Sequence, residues 1–179
     1  MNGKIKRMII YVAAVIILVF IDRATKIWAV NTLMGQSSIW LIPGVLQFYY
    51  LPNGNTGAAF GMLEGHQGLF LVIAVVVVVL IGYILYRLPS GSKYRFLSVM
   101  LLFIAAGGVG NMYDRALQGY VVDFIYFSLI NFPIFNVADI YVSVCTVLLA
   151  IYLIFLLKED DYKELEAALK IKTIKEQND

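Results

Sequence analysis

Long apolar runs alternate with short polar intervals along this chain. Four runs approach or exceed the ~20 residues that a helix needs to cross a bilayer. They cover about 8–30, 69–88, 96–112 and 137–157. The first is unbroken from Met8 to Ile21, the second is dominated by valine, and the third is shorter and ends in small residues. Backbone polar groups cannot be left open to lipid, so all four are predicted as α-helices. Valine's modest helix propensity in water does not weigh against this inside a bilayer. The interval 31–68 carries Trp40, Phe48, Tyr49 and Tyr50 between turn signals at Pro43-Gly44 and Pro52-Asn53-Gly54. It predicts short strands, paired as a hairpin, at the outer surface. The tail 158–179 mixes both charges with leucine and alanine and predicts a frayed helix outside the membrane. No internal repeat or interdomain linker interrupts the pattern. The expectation is one polytopic domain over 1–179, an all-α membrane protein with four transmembrane helices.

Composition narrows the choice. Of the 179 residues 61% are hydrophobic and 15% charged. That is too apolar for a disordered chain and outside the range of ordinary soluble domains. A disulfide scaffold is excluded by a single cysteine, Cys145, which is read as inert packing. A net charge of +2 with no clustered basic patch argues against nucleic-acid binding. Eleven of the fourteen lysines and arginines lie before helix 1, between helices 2 and 3, or after helix 4. Both termini are therefore expected on the cytoplasmic side, with 31–68 and 113–136 external. Lys4–Arg7 ahead of an apolar run looks like a signal peptide. However, Ile21-Asp22-Arg23 follows instead of a small-x-small cleavage site, so helix 1 is expected to remain as an anchor.

Seven of the twelve acidic residues lie at or beyond Glu159, which leaves Asp22, Glu64, Asp114, Asp123 and Asp139. Carboxylates at the ends of apolar segments need a reason to be there. Asp123 lies in Gly119-Tyr120-Val121-Val122-Asp123-Phe124, just past helix 3, and Asp139 lies in the first turn of helix 4. Two carboxylates meeting at the outer interface would share a proton, one acting as base toward water and the other as acid toward a carbonyl oxygen. Spacing alone leaves a second reading open, in which each is a separate polar cap. Asn111 and Arg115 share a helix face, and Arg115 pairs with Asp114, pairs with a carboxylate elsewhere or holds a peptide carbonyl. Asp114 itself reads as half of a structural ion pair. Asp22 and Lys26 are four residues apart in the favourable order. Arg23 and Lys26 read as snorkelling cations, and Asp22 as a deeper brace. Asn55-Thr56-Gly57 and Ala106/Gly110 offer close backbone approach, to another helix or to a ligand. The single histidine, His66, has no neighbours at metal-ligand spacing, so no metal or cofactor is expected. No serine is placed for nucleophilic catalysis.

These segments together resemble the bacterial lipoprotein signal peptidase (signal peptidase II) family of intramembrane aspartic peptidases. Asp22-Arg23-Ala24-Thr25-Lys26 is similar to its D-x-x-[TS]-K, and Asn55-Thr56-Gly57-Ala58-Ala59-Phe60 to its N-x-G-A-A-F. Gly110-Asn111-Met112-Tyr113-Asp114-Arg115 with Gly119-Tyr120-Val121-Val122-Asp123-Phe124, then Phe135-Asn136-Val137-Ala138-Asp139, follow in family order. Arg23, Tyr126 and Ile140-Tyr141 depart from common family residues, away from the two central aspartates.

The resemblance implies that Asp123 and Asp139 form a catalytic dyad. It implies that Asn55, Gly57, Asn111, Arg115 and Asn136 line the substrate site, and that Asp22 and Lys26 support it. It also implies an extracytoplasmic β-cradle from 31–68 and a location in the bacterial cytoplasmic membrane. The implied partners are diacylglyceryl-prolipoproteins cut before the lipid-modified cysteine, membrane lipids and globomycin-type cyclic peptides, with the protein acting as a monomer. A small transporter and a non-enzymatic membrane scaffold are the competing classes. The first would place charge or broken helices near the bilayer midplane. The second would tolerate asparagine at both aspartates.

Overall fold

The computed structural model describes residues 3–57 and 67–169. Ala58, Ala59, Phe60, Glu64, His66, Lys170, Lys172 and Lys175 lie outside the described residues. The chain runs as α1 (Gly3–Leu33), β1 (Ile39–Ile42), β2 (Leu46–Phe48), α2 (Gln67–Arg87), α3 (Lys93–Gln118), β3 (Ile125–Phe127), α4 (Val137–Ile151) and α5 (Glu159–Leu169). A π-helical segment, Tyr152–Leu156, prolongs α4. Four helices are long and apolar enough to cross a membrane, as expected from the hydropathy pattern.

Their outward faces are apolar, with Phe20 70%, Val79 64% and Phe155 75% exposed. Such a surface suits hydrocarbon as its solvent, and this is a multi-pass membrane protein. Helix α3 is the hub. Half of its apolar window is buried, against 6% for α1 and α4 and 11% for α2. It packs on all three of the others. Small residues make this possible. A Cβ on Gly107 would lie 2.5 Å from the Ala138 carbonyl oxygen, and one on Gly110 would lie 2.6 Å from an Asp22 carboxylate oxygen. Lipid tails compete with any apolar helix face, so close backbone approach is what holds such helices together.

The helices overrun the apolar stretches. α1 reaches Leu33, taking in residues expected in the external segment, and α3 runs to Gln118 rather than stopping at 112. Asn111, Asp114 and Arg115 end the apolar run but continue the helix, because each finds a polar partner inside the fold. Gly119 then closes α3 in the left-handed conformation at φ 78°, its N–H donating to the Arg115 carbonyl.

The 31–68 interval does form a hairpin, with Ile39 opposite Phe48 and Trp40 opposite Gln47. A third strand joins it from a distant segment, as β3 pairs antiparallel with β2 and places Gln47 opposite Tyr126. This ladder continues irregularly toward the bundle. Tyr49 N–H donates to the Phe124 carbonyl, Leu51 N–H to the Asp123 carbonyl, and Asn55 and Val121 exchange both backbone bonds. Ala29, Leu33, Val122 and Phe124 are buried together under the sheet, with Trp28, Phe48 and Phe124 packed ring to ring.

At the opposite end the described part of the tail, α5, is a formed and docked helix, and 170–179 lie outside the described residues. Lys93 pairs with Asp161 at 2.7 Å and Glu164 at 2.5 Å, Arg87 Nε donates to the Ala168 carbonyl, and Tyr83 donates to that of Leu169. Tertiary partners supply what its short, charged sequence lacks on its own. Cys145 is buried in the bundle, consistent with packing.

Candidate active site

Backbone alternation aims Asp123 inward. Val122 and Phe124 are anchored on Ala29 and Leu33, so the side chain between them projects to the other side of the extended segment. It is 2% exposed. Asn55, held in place by its bridge to Val121, donates from Nδ2 to Asp123 Oδ2 at 2.8 Å. Asn136 Nδ2 donates to Asp123 Oδ1 at 2.5 Å.

Asp139 is positioned by the start of α4. Asn136 is the N-cap residue, with its side-chain oxygen accepting from Asp139 N–H at 3.1 Å. Asp139 Oδ2 accepts in return from Asn136 N–H at 3.0 Å, which closes a capping box. Asp139 Oδ1 accepts from Asn111 Nδ2 at 2.8 Å. Asp139 is thus a helix-end residue that shares the donor Asn136 with Asp123. One residue, Asn136, donates to both carboxylates: to Asp123 from its side chain and to Asp139 from its backbone. The Asn136 amide also donates to Asn111 Oδ1 at 3.2 Å, which closes the ring.

Asp123 lies outside the membrane-spanning helices, and its carboxyl is pushed up to about 7. Burial is the main cause and the neighbouring Asp139 charge the second. The bonds from Asn55 and Asn136 and the Lys26 charge oppose them. Carboxyls raised by burial and a like charge in a cleft mark sites of proton chemistry. Asn136→Ala is expected to cost about 1 kcal/mol through the lost cap. It should also push Asp123 higher still, since one of its two donors goes. Thermal unfolding and a pH titration of Asp123 check the two effects separately.

Arg115 does not pair with Asp114. Its Nη2 donates to the Gly57 carbonyl at 3.1 Å, and its guanidinium lies 5.1 Å from the Phe70 ring centre. Asp114 instead takes Arg23 and Lys26 as partners, the latter at 2.9 Å. Lys26 corrects the snorkelling reading. It is 1% exposed, 2.9 Å from Asp22 and 2.9 Å from Asn111 Oδ1. A cation surrounded by two carboxylates and an amide has no need to reach water. Asp139 opens on a cavity of about 700 Å³, while Asp123 lies behind its wall, buried. Asn55, Gly57, Arg115 and Asp139 supply its polar wall, and Phe70 of α2 with Ile140 and Val144 of α4 supply part of its apolar one. These apolar lining residues escape sequence reasoning, because nothing distinguishes them from lipid-facing neighbours. Among the described residues no cluster of three His, Cys, Asp or Glu side chains is placed to hold a metal ion.

Comparison with known proteins follows the same lines. The family described as Signal peptidase (SPase) II matches residues 14–155. The chain belongs to the signal peptidase II family.

This enzyme is 40% identical over 146 residues to the lipoprotein signal peptidase of Clostridium novyi, covering 78% of this chain and 96% of that one. It is 40% identical over 154 residues to its counterpart in Streptococcus pyogenes serotype M1, with 86% and 96% covered. A solved structure described as a bacterial membrane enzyme, at 1.9 Å resolution, superposes with a TM-score of 0.69 at 30% identity over 82% of this chain and 94% of that one. A second, at 2.3 Å, gives 0.68 at 29% identity, with 80% and 86% covered. Helix α5 lies beyond the matched residues.

Proposed function

We propose that this enzyme removes signal peptides from diacylglyceryl-modified prolipoproteins, cutting before the lipid-bearing cysteine with a water activated between Asp123 and Asp139. The observation that carries the reading is the double donation by Asn136, which ties two carboxylates into one hydrogen-bonded network, with Asp139 lining an apolar cavity. One carboxylate takes a proton from water as the other donates to the scissile carbonyl oxygen. A tetrahedral intermediate forms and collapses with no covalent adduct to the enzyme. Arg115 and Asn55 hold the extended peptide. The diacylglycerol chains stay in lipid, between the apolar faces of α2 and α4. The basic residues around the α2–α3 turn and at the N-terminus support a topology with both termini in the cytoplasm and the dyad on the extracytoplasmic side of the bacterial plasma membrane. Water is available there, and the lipid tether restricts the substrate to two dimensions.

The pH dependence tests the proton-sharing step. The working state carries one proton on the pair. With Asp123 raised to about 7, that proton is held below neutrality and lost above it. Turnover of a synthetic diacylated prolipoprotein peptide should therefore fall as pH rises through about 7. A rate that keeps rising to pH 9 would contradict a shared proton.

A further inference from the structure

The helix-buried charges behind the site form a set of their own. Asp22 and Lys26 come from α1 and Asp114 from α3. All three are essentially inaccessible: Asp22 0%, Lys26 1% and Asp114 0% exposed. Arg23 completes the set by pairing with Asp114 Oδ1, so two cations face two carboxylates and the group is neutral. Burying three charged groups in a membrane protein is expensive, and exchanging paired ions for apolar residues is often neutral or better for stability. Packing alone does not account for them.

Their contacts converge on the two aspartates of the site. Asp22 Oδ1 accepts from Ala138 N–H at 3.0 Å, the backbone donor immediately before Asp139. Asp114 Oδ2 faces Val122 N–H at 3.4 Å, the donor immediately before Asp123. Lys26 Nζ joins the two carboxylates, at 2.9 Å from each. Its third contact is Asn111 Oδ1, also at 2.9 Å. The ammonium thus lies among three oxygens, two as ion-pair contacts and one as a hydrogen bond. With Lys26 and Asn136 both donating to Asn111 Oδ1, the Asn111 amide has one remaining orientation, with Nδ2 toward Asp139.

We infer that Lys26 is a positioning residue, the centre of a buried clamp that sets the spacing of the Asp123 and Asp139 segments and orients the Asn111 amide toward Asp139. The inference rests on the dyad reading above and specifies through which contacts Lys26 supports the site without touching substrate. The clamp acts on backbone donors next to the aspartates, so it is felt as geometry. It also acts through charge. Asp123 is faced by Asp139 from α4, Lys26 from α1 and Arg115 from α3. Of the two cations, Lys26 is the one that belongs to the clamp.

The test uses the full chain in detergent micelles, a synthetic diacylated prolipoprotein peptide and two variants. Lys26→Met removes the centre and leaves an unbalanced negative charge. Asp22→Asn with Lys26→Gln keeps the group neutral, keeps an acceptor for Ala138 N–H and is built to fold. In both, kcat should drop at least 30-fold with KM changed less than threefold, and the alkaline limb of the pH profile should move to higher pH. A purely structural role would lower the unfolding temperature and leave that limb in place. Recovery of wild-type kcat in the neutral double variant would overturn the clamp and leave charge balance as the explanation. So would an unmoved limb. If neither variant folds, the quartet is a folding element and the proposal also fails. Asp123→Asn and Asp139→Asn in the same assay separate the two readings: activity in those variants sinks the dyad, whereas dead dyad variants beside an active Lys26→Met sink only the clamp.

Discussion

Asparagine at either Asp123 or Asp139 should lower turnover at least about 1000-fold, within the range that a positioned general acid or base contributes. Asparagine matches aspartate in shape and keeps one acceptor, but it can neither take a proton from water nor give one to the scissile carbonyl. Each substitution turns an amide donor toward an existing donor: Asn55 or Asn136 at position 123, Asn111 or Asn136 N–H at position 139. A loss of about 1 kcal/mol of stability is therefore expected beside the loss of chemistry. The variants should still insert and unfold cooperatively. Purified enzyme and a diacylated prolipoprotein peptide in mixed micelles provide the measurement, with product mass reporting the cleavage site. Near wild-type cleavage by either variant would remove that aspartate from the mechanism. It would also reopen the scaffold reading, which expects both positions to tolerate the change.

The second large effect concerns packing. Gly107→Ala places a methyl 2.5 Å from the Ala138 carbonyl oxygen and 2.7 Å from Val142 Cγ2. The oxygen belongs to helical backbone and cannot swing aside, so α3 and α4 must separate. Overpacking of this kind costs about 1–3 kcal/mol. The damage extends beyond stability. Asn111 sits one turn further along α3, and its hydrogen bond to Asp139 spans the same interface. Activity should fall along with the unfolding temperature. Gly108→Ala is the control, since its new methyl meets only Val78 Cγ2, at 3.4 Å. The same chemical change one position along the helix should leave both quantities near wild type. Equal losses at the two positions would show helix propensity, not interface contact, to be responsible.

Much of the molecule is written in local order along the chain. Four apolar runs near bilayer length mark the four spans, because hydropathy over ~20 residues is a property of consecutive positions. The hairpin could be read from turn residues around Pro43-Gly44, and the small-residue face of α3 from Ala106 and Gly110. The helix ends were harder to place. A hydropathy reading stops at the first cluster of polar residues, whereas α3 continues through Asn111, Asp114 and Arg115 because their partners come from elsewhere. The third strand escaped notice for a similar reason: Ile125–Phe127 is three residues long and pairs with a segment nearly 80 positions earlier.

What the amino-acid order determined alone is which carboxylates are costly enough in a bilayer to need a purpose: Asp22, Asp114, Asp123 and Asp139. What only the folded chain decided is who meets whom. Lys26 bonds Asn111 across 85 positions, and Asp22 takes the Ala138 N–H across 116. Such contacts leave no periodic trace. Each is set by where whole helices cross, and that depends on glycines and alanines whose role shows only once a neighbouring backbone lies against them. The cost of an unpaired charge in lipid is legible in one residue, whereas the partner that removes the cost is a property of the assembled bundle.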